Sequence, residues 1–187
     1  MQFHGITVAA VAVSTSFASA QLVNVALNAP VSVAAGSTGN ASLSTLTDGL
    51  FLGRSTTFSA GVTWTDAATI IEIDLGSAQT LVGGIVEADD NDAYELLGRN
   101  LTTGAFETIW DIPNFDNFGS GFQTRPNPED VSEVFFFAAP LTTDTIRIRS
   151  TSGDFARALG EVQVFVPAAP GVAVLSAGLG FAARRRR

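Results

Sequence analysis

The side chains of this chain that could do chemistry are carboxylates, a few arginines and aromatic rings. Glu87-Ala88-Asp89-Asp90-Asn91-Asp92 puts four acids into six residues. The run does not follow the register of an EF-hand, because no Gly stands at its sixth position and no Glu closes the loop. It reads as a loop-exposed turn rich in Asx hydrogen bonds, or as part of a ligand rim formed by Asp89, Asp90 and Asp92. Residues 115–130 mix Phe115, Phe118 and Phe122 with Gly119, Gly121 and Arg125. Exposed rings stack on sugar faces, and a guanidinium fork matches hydroxyls or carboxylates. The same Phe residues would serve equally as a satellite core over one end of the fold. Ser152-Gly153-Asp154-Phe155 offers a further acid and ring, Asp154 and Phe155, for such a rim. Trp64 and Trp110 are expected in the core.

The inventory excludes much else. There is no Lys and no Cys, and the single His is His4. That removes P-loop and Schiff-base lysines, disulfides and cysteine zinc sites. Residues 21–166 carry all 18 acids but only six of the ten Arg, a net charge of −12. Such a segment repels nucleic-acid phosphates and anionic membranes and suits divalent cations and neutral or basic partners. Only carboxylate chemistry of the glycosidase kind survives, and closely spaced loop acids do not establish the separation it needs. With 46% hydrophobic and 15% charged residues the chain is not a disordered acidic tail.

The elements that must position these groups read as strands. Short alternating segments divided by Gly, Asn, Asp and Pro run over 31–34, 69–75, 84–88, 94–99, 106–111, 134–138, 145–150 and 161–166. Ile71, Ile73 and Leu75 alternate with Glu72 and Asp74, and Ile146 and Ile148 alternate with Arg147 and Arg149, which are expected to pair with acids such as Glu72 or Asp74. Asn100 to Gly104 makes a hairpin connection. Phe135-Phe136-Phe137 implies a strand covered on both faces. About eight strands at this spacing predict an all-β jelly-roll sandwich.

Both ends read as addresses. Residues 1–20 have the apolar run and the small-x-small site of a secretory signal peptide, the alternative being a buried terminal element. Residues 166–187 comprise Val166, Pro167 and Pro170, then thirteen uncharged residues, then Arg184, Arg185, Arg186 and Arg187. As a helix the apolar run would reach roughly 20 Å, short of the roughly 30 Å hydrocarbon core. This tail resembles the PEP-CTERM sorting signal, with Val-Pro-Ala-Ala-Pro in place of the signature. The resemblance implies recognition by an exosortase-type membrane protease in a Gram-negative-type bacterium. An ordinary C-terminal anchor is the alternative, and contact with the membrane would run only through this segment before processing. The chain is expected to be exported through the inner membrane to the cell surface or matrix.

Between the ends, residues 24–166 carry Asn24-Val25-Ala26-Leu27-Asn28-Ala29-Pro30, Leu46-Thr47-Asp48-Gly49, Ile71-Glu72-Ile73-Asp74-Leu75-Gly76, Ser152-Gly153-Asp154 and Leu159-Gly160-Glu161-Val162. In this order they resemble the discoidin, or coagulation factor 5/8 type C, family. The resemblance implies a galactose-binding-like jelly roll whose first and last strands meet, and a non-catalytic module binding polysaccharide or envelope glycan. A structural matrix or adhesion protein without a specific sugar site is the alternative. It also implies a structural calcium site, with carboxylates from Asp48 and Glu161 and carbonyls near Thr45 and Gly160. Otherwise Asp48 only forms a turn and Glu161 pairs with an Arg such as Arg157.

Overall fold

The structure is a computed structural model, and it describes residues 21–54, 56–115 and 121–168. The segment 1–20, Phe118, Pro170 and the four terminal arginines lie outside the described residues. The strands are β1 (Leu22–Asn24), β2 (Val31–Ala35), β3 (Gly39–Asn40), β4 (Val62–Trp64), β5 (Ile70–Asp89), β6 (Ala93–Arg99), β7 (Phe106–Ile112), β8 (Phe122–Arg125), β9 (Phe135–Ser152) and β10 (Arg157–Pro167). Two short 3-10 turns, Leu43–Thr47 and Phe58–Ala60, are the only helical elements among the described residues.

All pairings are antiparallel. Residues 71–74 of β5 lie between β2 and the second half of β9, and β6 and β7 continue that layer. Residues 83–89 of β5 lie between β10 and β8, and β4 and β3 continue the other layer. The long strands β5 and β9 therefore pass from one layer of a β-sandwich to the other. Sequence reading cut each of them in two, at residues 76–83 and 139–144, because Gly and Pro usually mark reversals. Here they mark bends. Gly76 has φ +75 and donates its amide to Asp74 Oδ1 at 2.8 Å, and the pairing with β9 shifts between Asp74 and Gln79. At Gly83 a Cβ would lie 2.5 Å from the Phe135 carbonyl oxygen, so the missing side chain lets β5 and β9 approach.

The core forms from one face of each layer. Ile71, Ile73, Leu96, Ile146 and Ile148 pack with Val62, Val86, Leu159, Val162 and Val164, and Trp64 and Trp110 are buried among them. The opposite face of the first layer carries charge. Arg147 pairs with Glu72 at 2.8 Å and lies 3.8 Å from the Phe106 ring centroid, Arg99 pairs with Asp144, and Arg149 pairs with Glu95. The Phe triplet departs from expectation. Phe137 is buried, Phe135 stacks on Trp110 at 4.6 Å, and Phe136 is 63% exposed, so one face of that strand is open to solvent.

The chain ends of the sandwich meet. β1 pairs with the end of β10, Leu22 opposite Pro167 and Asn24 opposite Phe165. Val166 and Pro167 thus belong to the last strand, and Val166 packs against the core.

Candidate functional site

The acidic run is neither a loop excursion nor exposed. β5 continues through Asp89, the turn occupies Asp90 and Asn91, and β6 starts at Ala93. Asp89, Asp90 and Asp92 are all buried. Their neighbour Arg125 explains how. It was expected on a rim loop, but it is the last residue of β8, paired with Val86, and is 1% exposed. Its guanidinium donates to the carbonyls of Ala88 at 2.7 Å, Asp89 at 2.8 Å, Gln123 at 2.9 Å, Pro113 at 3.3 Å and Asp92 at 3.4 Å. A fork with five donors is the side chain that can hold several carbonyls at once. Arg125 therefore pins the turn from beneath and is a positioning residue. Phe115 lies over it, the ring centroid 5.1 Å from the guanidinium carbon. Of the rings expected to form a satellite core, Phe122 is fully buried while Phe115 is 43% exposed.

The rest of the turn is tied to neighbouring loops. Asp90 donates its amide to the Gly121 carbonyl at 3.1 Å and accepts from Gln123 Nε2 at 3.3 Å. Asp92 Oδ1 accepts the Asp154 amide at 3.2 Å, and its Oδ2 lies 3.1 Å from the Tyr94 hydroxyl. Asn91 Nδ2 donates to Asp154 Oδ2 at 3.1 Å. The 89–92 turn and the 152–155 loop are thereby one unit. Gly153 makes this possible: its φ is +137, and a Cβ there would sit 1.6 Å from Asp92 Oδ1.

Above this unit lies a cleft of about 320 Å³, lined by Thr57, Phe58, Asp89, Asn91, Gly121, Asp154 and Ala156. Sequence reading singled out Asp89 and Asp154 but not Thr57 or Phe58. Phe58 begins the 3-10 turn Phe58–Ala60 and Thr57 precedes it, in residues that none of the quoted motifs covers. Phe58 is exposed, and Phe155, between two lining residues, is 87% exposed. Asp90 and Asp92 do not line the cleft; they shape it.

Crowding of acids perturbs their titration. Burial, then Asp92 and Asp90, push the Asp89 carboxyl up to about 7. Burial also lifts Asp92 to about 6, with the nearby Asp154 adding to it and the Tyr94 hydrogen bond opposing. An unfolded Asp loses its proton near 3.8. Between that value and about 7 the folded chain holds the extra proton, so this group's contribution to stability falls as pH rises through the window. Asp89→Asn is thus expected to melt higher than the parent at pH 8, by roughly 1–2 kcal/mol, with the gap closing by pH 4. Thermal melts of both proteins across that range check it; a gap constant with pH refutes it.

A second carboxylate group lies between the 48–53 segment and β10. Glu161 Oε1 accepts the Gly49 amide at 3.1 Å and Gln163 Nε2 at 3.3 Å, while its buried Oε2 has no partner. Burial, then Asp48, then Glu87, push Glu161 up to about 8. Glu87 is also buried, and its two oxygens accept the amides of Leu52 at 2.7 Å and Gly53 at 2.8 Å. Gly160 packs against it, a Cβ there lying 2.3 Å from Glu87 Oε2. Asp48 Oδ1 accepts the Leu50 amide at 2.8 Å, and the Thr45 hydroxyl donates to the Ser42 carbonyl at 2.8 Å. The pairing of Glu161 with Arg157 does not occur; Arg157 donates to the Thr65 carbonyl at 3.1 Å. Asp48 and Glu161 are thus brought together. No group of three or more acids or other ligating side chains converges on one point among the described residues. An orphaned buried carboxylate oxygen beside a second carboxylate nevertheless fits a hard, oxygen-preferring cation completed by carbonyls.

No family model matches the sequence, and no curated protein is significantly similar to it. Solved structures do resemble the fold. A family 32 carbohydrate-binding module of Streptococcus pneumoniae EndoD superposes with a TM-score of 0.53 at 13% identity, over 75% of this chain and 97% of the module. The family 32 module of C. perfringens NanJ, solved in complex with galactose, gives 0.52 at 15% identity, over 78% and 99%. A mutant of the lectin binding domain of Lectinolysin, solved with Lewis b, gives 0.56 at 12% identity, over 80% and 99%. The chain therefore has the galactose-binding-like β-sandwich fold of the family 32 carbohydrate-binding modules.

Proposed function

We propose that this chain is a non-catalytic carbohydrate-binding module. The cleft at the 89–92 turn supports the reading. It pairs an exposed ring, Phe58, with the hydrogen-bonding groups of Thr57, Asp89, Asn91 and Asp154, within a volume suited to one or two sugar rings. A ring presents an apolar surface to the CH face of a sugar, and the polar groups select hydroxyls around it. Among the described residues, the acids lining the cleft are Asp89 and Asp154, linked through the same turn unit rather than placed as a separate acid and base on either side of an open bond. A glycan array with the full chain tests the reading. Saturable binding that falls at least tenfold in Phe58→Ala supports it. Absence of binding to every glycan, with self-association instead, points to a matrix protein and overturns it.

Calcium belongs to this proposal as a structural ion. Asp48 and Glu161 would supply carboxylates, and carbonyls near Thr45 and Gly160 would complete the oxygen shell. Bound there, the ion would neutralise the buried Glu161 and fasten the 48–53 segment to the last strand. Millimolar calcium is expected to raise the melting temperature by about 5 °C, near the 2.7 kcal/mol due at a hundredfold excess over Kd. Glu161→Gln should abolish that rise. A melt indifferent to both calcium and chelator would exclude the ion. Export by the 1–20 segment and sorting of the 166–187 tail by an exosortase-type protease complete the proposal and would place the module at the cell surface or matrix.

A further inference from the structure

The two sides of the cleft are fixed in different ways. Asp89, Asn91 and Asp154 belong to the turn unit that Arg125 and the Asp92–Asp154 contact hold. On the Thr57–Phe58 side there is little packing. No residue of the 3-10 turn Phe58–Ala60 is buried, and Thr57 makes no capping hydrogen bond with its side chain. A ring that is 42% exposed has too few neighbours to fix its own place. Backbone contacts before and after the turn must do so. After it, Gly61 is buried and lies so close to β10 that a Cβ would sit 2.4 Å from the Leu159 carbonyl oxygen.

Before it, the Phe122 amide donates to the Thr56 carbonyl at 2.9 Å. Thr56 closes on the residues preceding it: its amide donates to the Gly53 carbonyl at 3.2 Å and its hydroxyl to the Leu52 carbonyl at 2.9 Å. Those residues rest on one side chain. The Leu52 and Gly53 amides donate to the two oxygens of Glu87 at 2.7 and 2.8 Å. Two successive amides converging on one carboxylate form an anion-binding concavity, and Glu87 is 0% exposed, so these charge-assisted bonds form away from water. Glu87 stands two residues before Asp89 on β5. Val86 and Ala88 face the core, so Glu87 and Asp89 point to the opposite side, roughly 7 Å apart along the strand. One strand thus carries an acid of the cleft and the group that ties down the residues leading to Phe58.

Resting on the carbohydrate-binding reading, we infer that Glu87 is a positioning residue of the cleft: by holding the Leu52 and Gly53 amides it sets the Phe58 ring at a fixed distance from Asp89, and so the width offered to a sugar. Glu87 is not part of the cleft lining, so it acts through Phe58 and touches no ligand itself.

The test is a double-mutant cycle in the full chain, read by amide hydrogen exchange and by a glycan array at graded protein concentrations, which keeps weak binding measurable. Glu87→Gln keeps the shape of the side chain but sets an NH2 group against one of the two amides. Exchange at Leu52, Gly53 and Phe122 is expected to quicken by at least about tenfold, while Tyr94 and Ile146 in the core strands keep their parent rates. Binding to the glycans that the parent retains should weaken by at least about fivefold. That loss should vanish in the Phe58→Ala background, because a group acting only through the ring has nothing left to position. Gly53→Ala is the second variant should Glu87→Gln fail to fold. Its φ is +91 and nothing stands within 4 Å of a Cβ there, so it strains the same residues without a collision and should show the same coupling to Phe58. A loss of binding that persists undiminished on top of Phe58→Ala, or exchange that is unchanged at Leu52 and Gly53 or quickens equally at Tyr94 and Ile146, overturns the inference and leaves the glycan reading intact. An array on which the parent binds nothing overturns both.

Discussion

Arg125→Met is expected to cost about 3–5 kcal/mol and to lower the melting temperature by at least about 10 °C. The substitution keeps most of the side-chain volume but removes every donor. The carbonyls of Ala88, Asp89, Asp92, Pro113 and Gln123 would then lose their common partner in a region closed to water. The same change removes the cation lying among Asp89, Asp90 and Asp92, so their mutual repulsion is no longer offset. Arg125→Lys retains the charge, but its single ammonium cannot span carbonyls on opposite sides, and it should recover less than half of the loss. Because Arg125 makes no part of the cleft wall that Phe58 and Asp154 build, glycan affinity should fall with the folded fraction and with disorder of the turn. Thermal and urea melts of both variants decide the matter. A Met variant within about 1 kcal/mol of the parent would show that water or a shifted turn satisfies those carbonyls.

Gly153→Ala should weaken glycan binding by at least about tenfold, while costing about 2–3 kcal/mol in stability. Two independent effects combine. At φ +137 any residue with a Cβ is strained, and this Cβ would overlap Asp92 Oδ1. Relief requires either the 152–155 loop or Asp92 to move. Moving the loop breaks the Asp154 amide bond to Asp92 and the Asn91 bond to Asp154, which together hold one wall of the cleft. Moving Asp92 takes a hydrogen-bond partner from the buried Tyr94 hydroxyl. The pair Gly153→Ala and Gly104→Ala separates strain from collision: Gly104 also has positive φ, but nothing stands within 4 Å of the place a Cβ would occupy, so it should lose stability alone. Melting and lactose titration of both variants provide the comparison. Parent-like binding in Gly153→Ala would mean that the two loops do not cooperate in forming the site.

Much of this molecule is written in local pattern. The alternation of Ile71, Ile73 and Leu75 with Glu72 and Asp74 defines a two-faced strand, and the structure buries the apolar set and pairs Glu72 with Arg147. Asn100 to Gly104 forms the hairpin between β6 and β7, with the Asn100 amide donating to the Ala105 carbonyl. Leu22 and Pro167 pair across the whole length of the described chain, as the motif order led one to expect. Glycines misled where their role was long-range. Gly76 and Gly83 fell in the predicted break between strands 69–75 and 84–88, yet β5 runs through both, and at Gly83 the Phe135 carbonyl of a neighbouring strand approaches the backbone.

The site divides along the same line. Residue types alone determined that nothing but carboxylates, rings and a few guanidiniums could act here, since that is a matter of which atoms the chain contains. They also singled out Asp89 and Asp154, while Asp48 and Glu161 came together only through the resemblance to the discoidin family. Only the tertiary structure decided which acids reach the cleft, that Arg125 lies beneath it and that Phe58 forms its wall. Sequence spacing sets the direction of a side chain along one strand, but burial depends on what the other layer and the connecting loops place over it. A guanidinium beside glycines and phenylalanines looks solvent-facing until the 88–92 backbone is folded around it and its five carbonyls supply the hydrogen bonds that water would otherwise make.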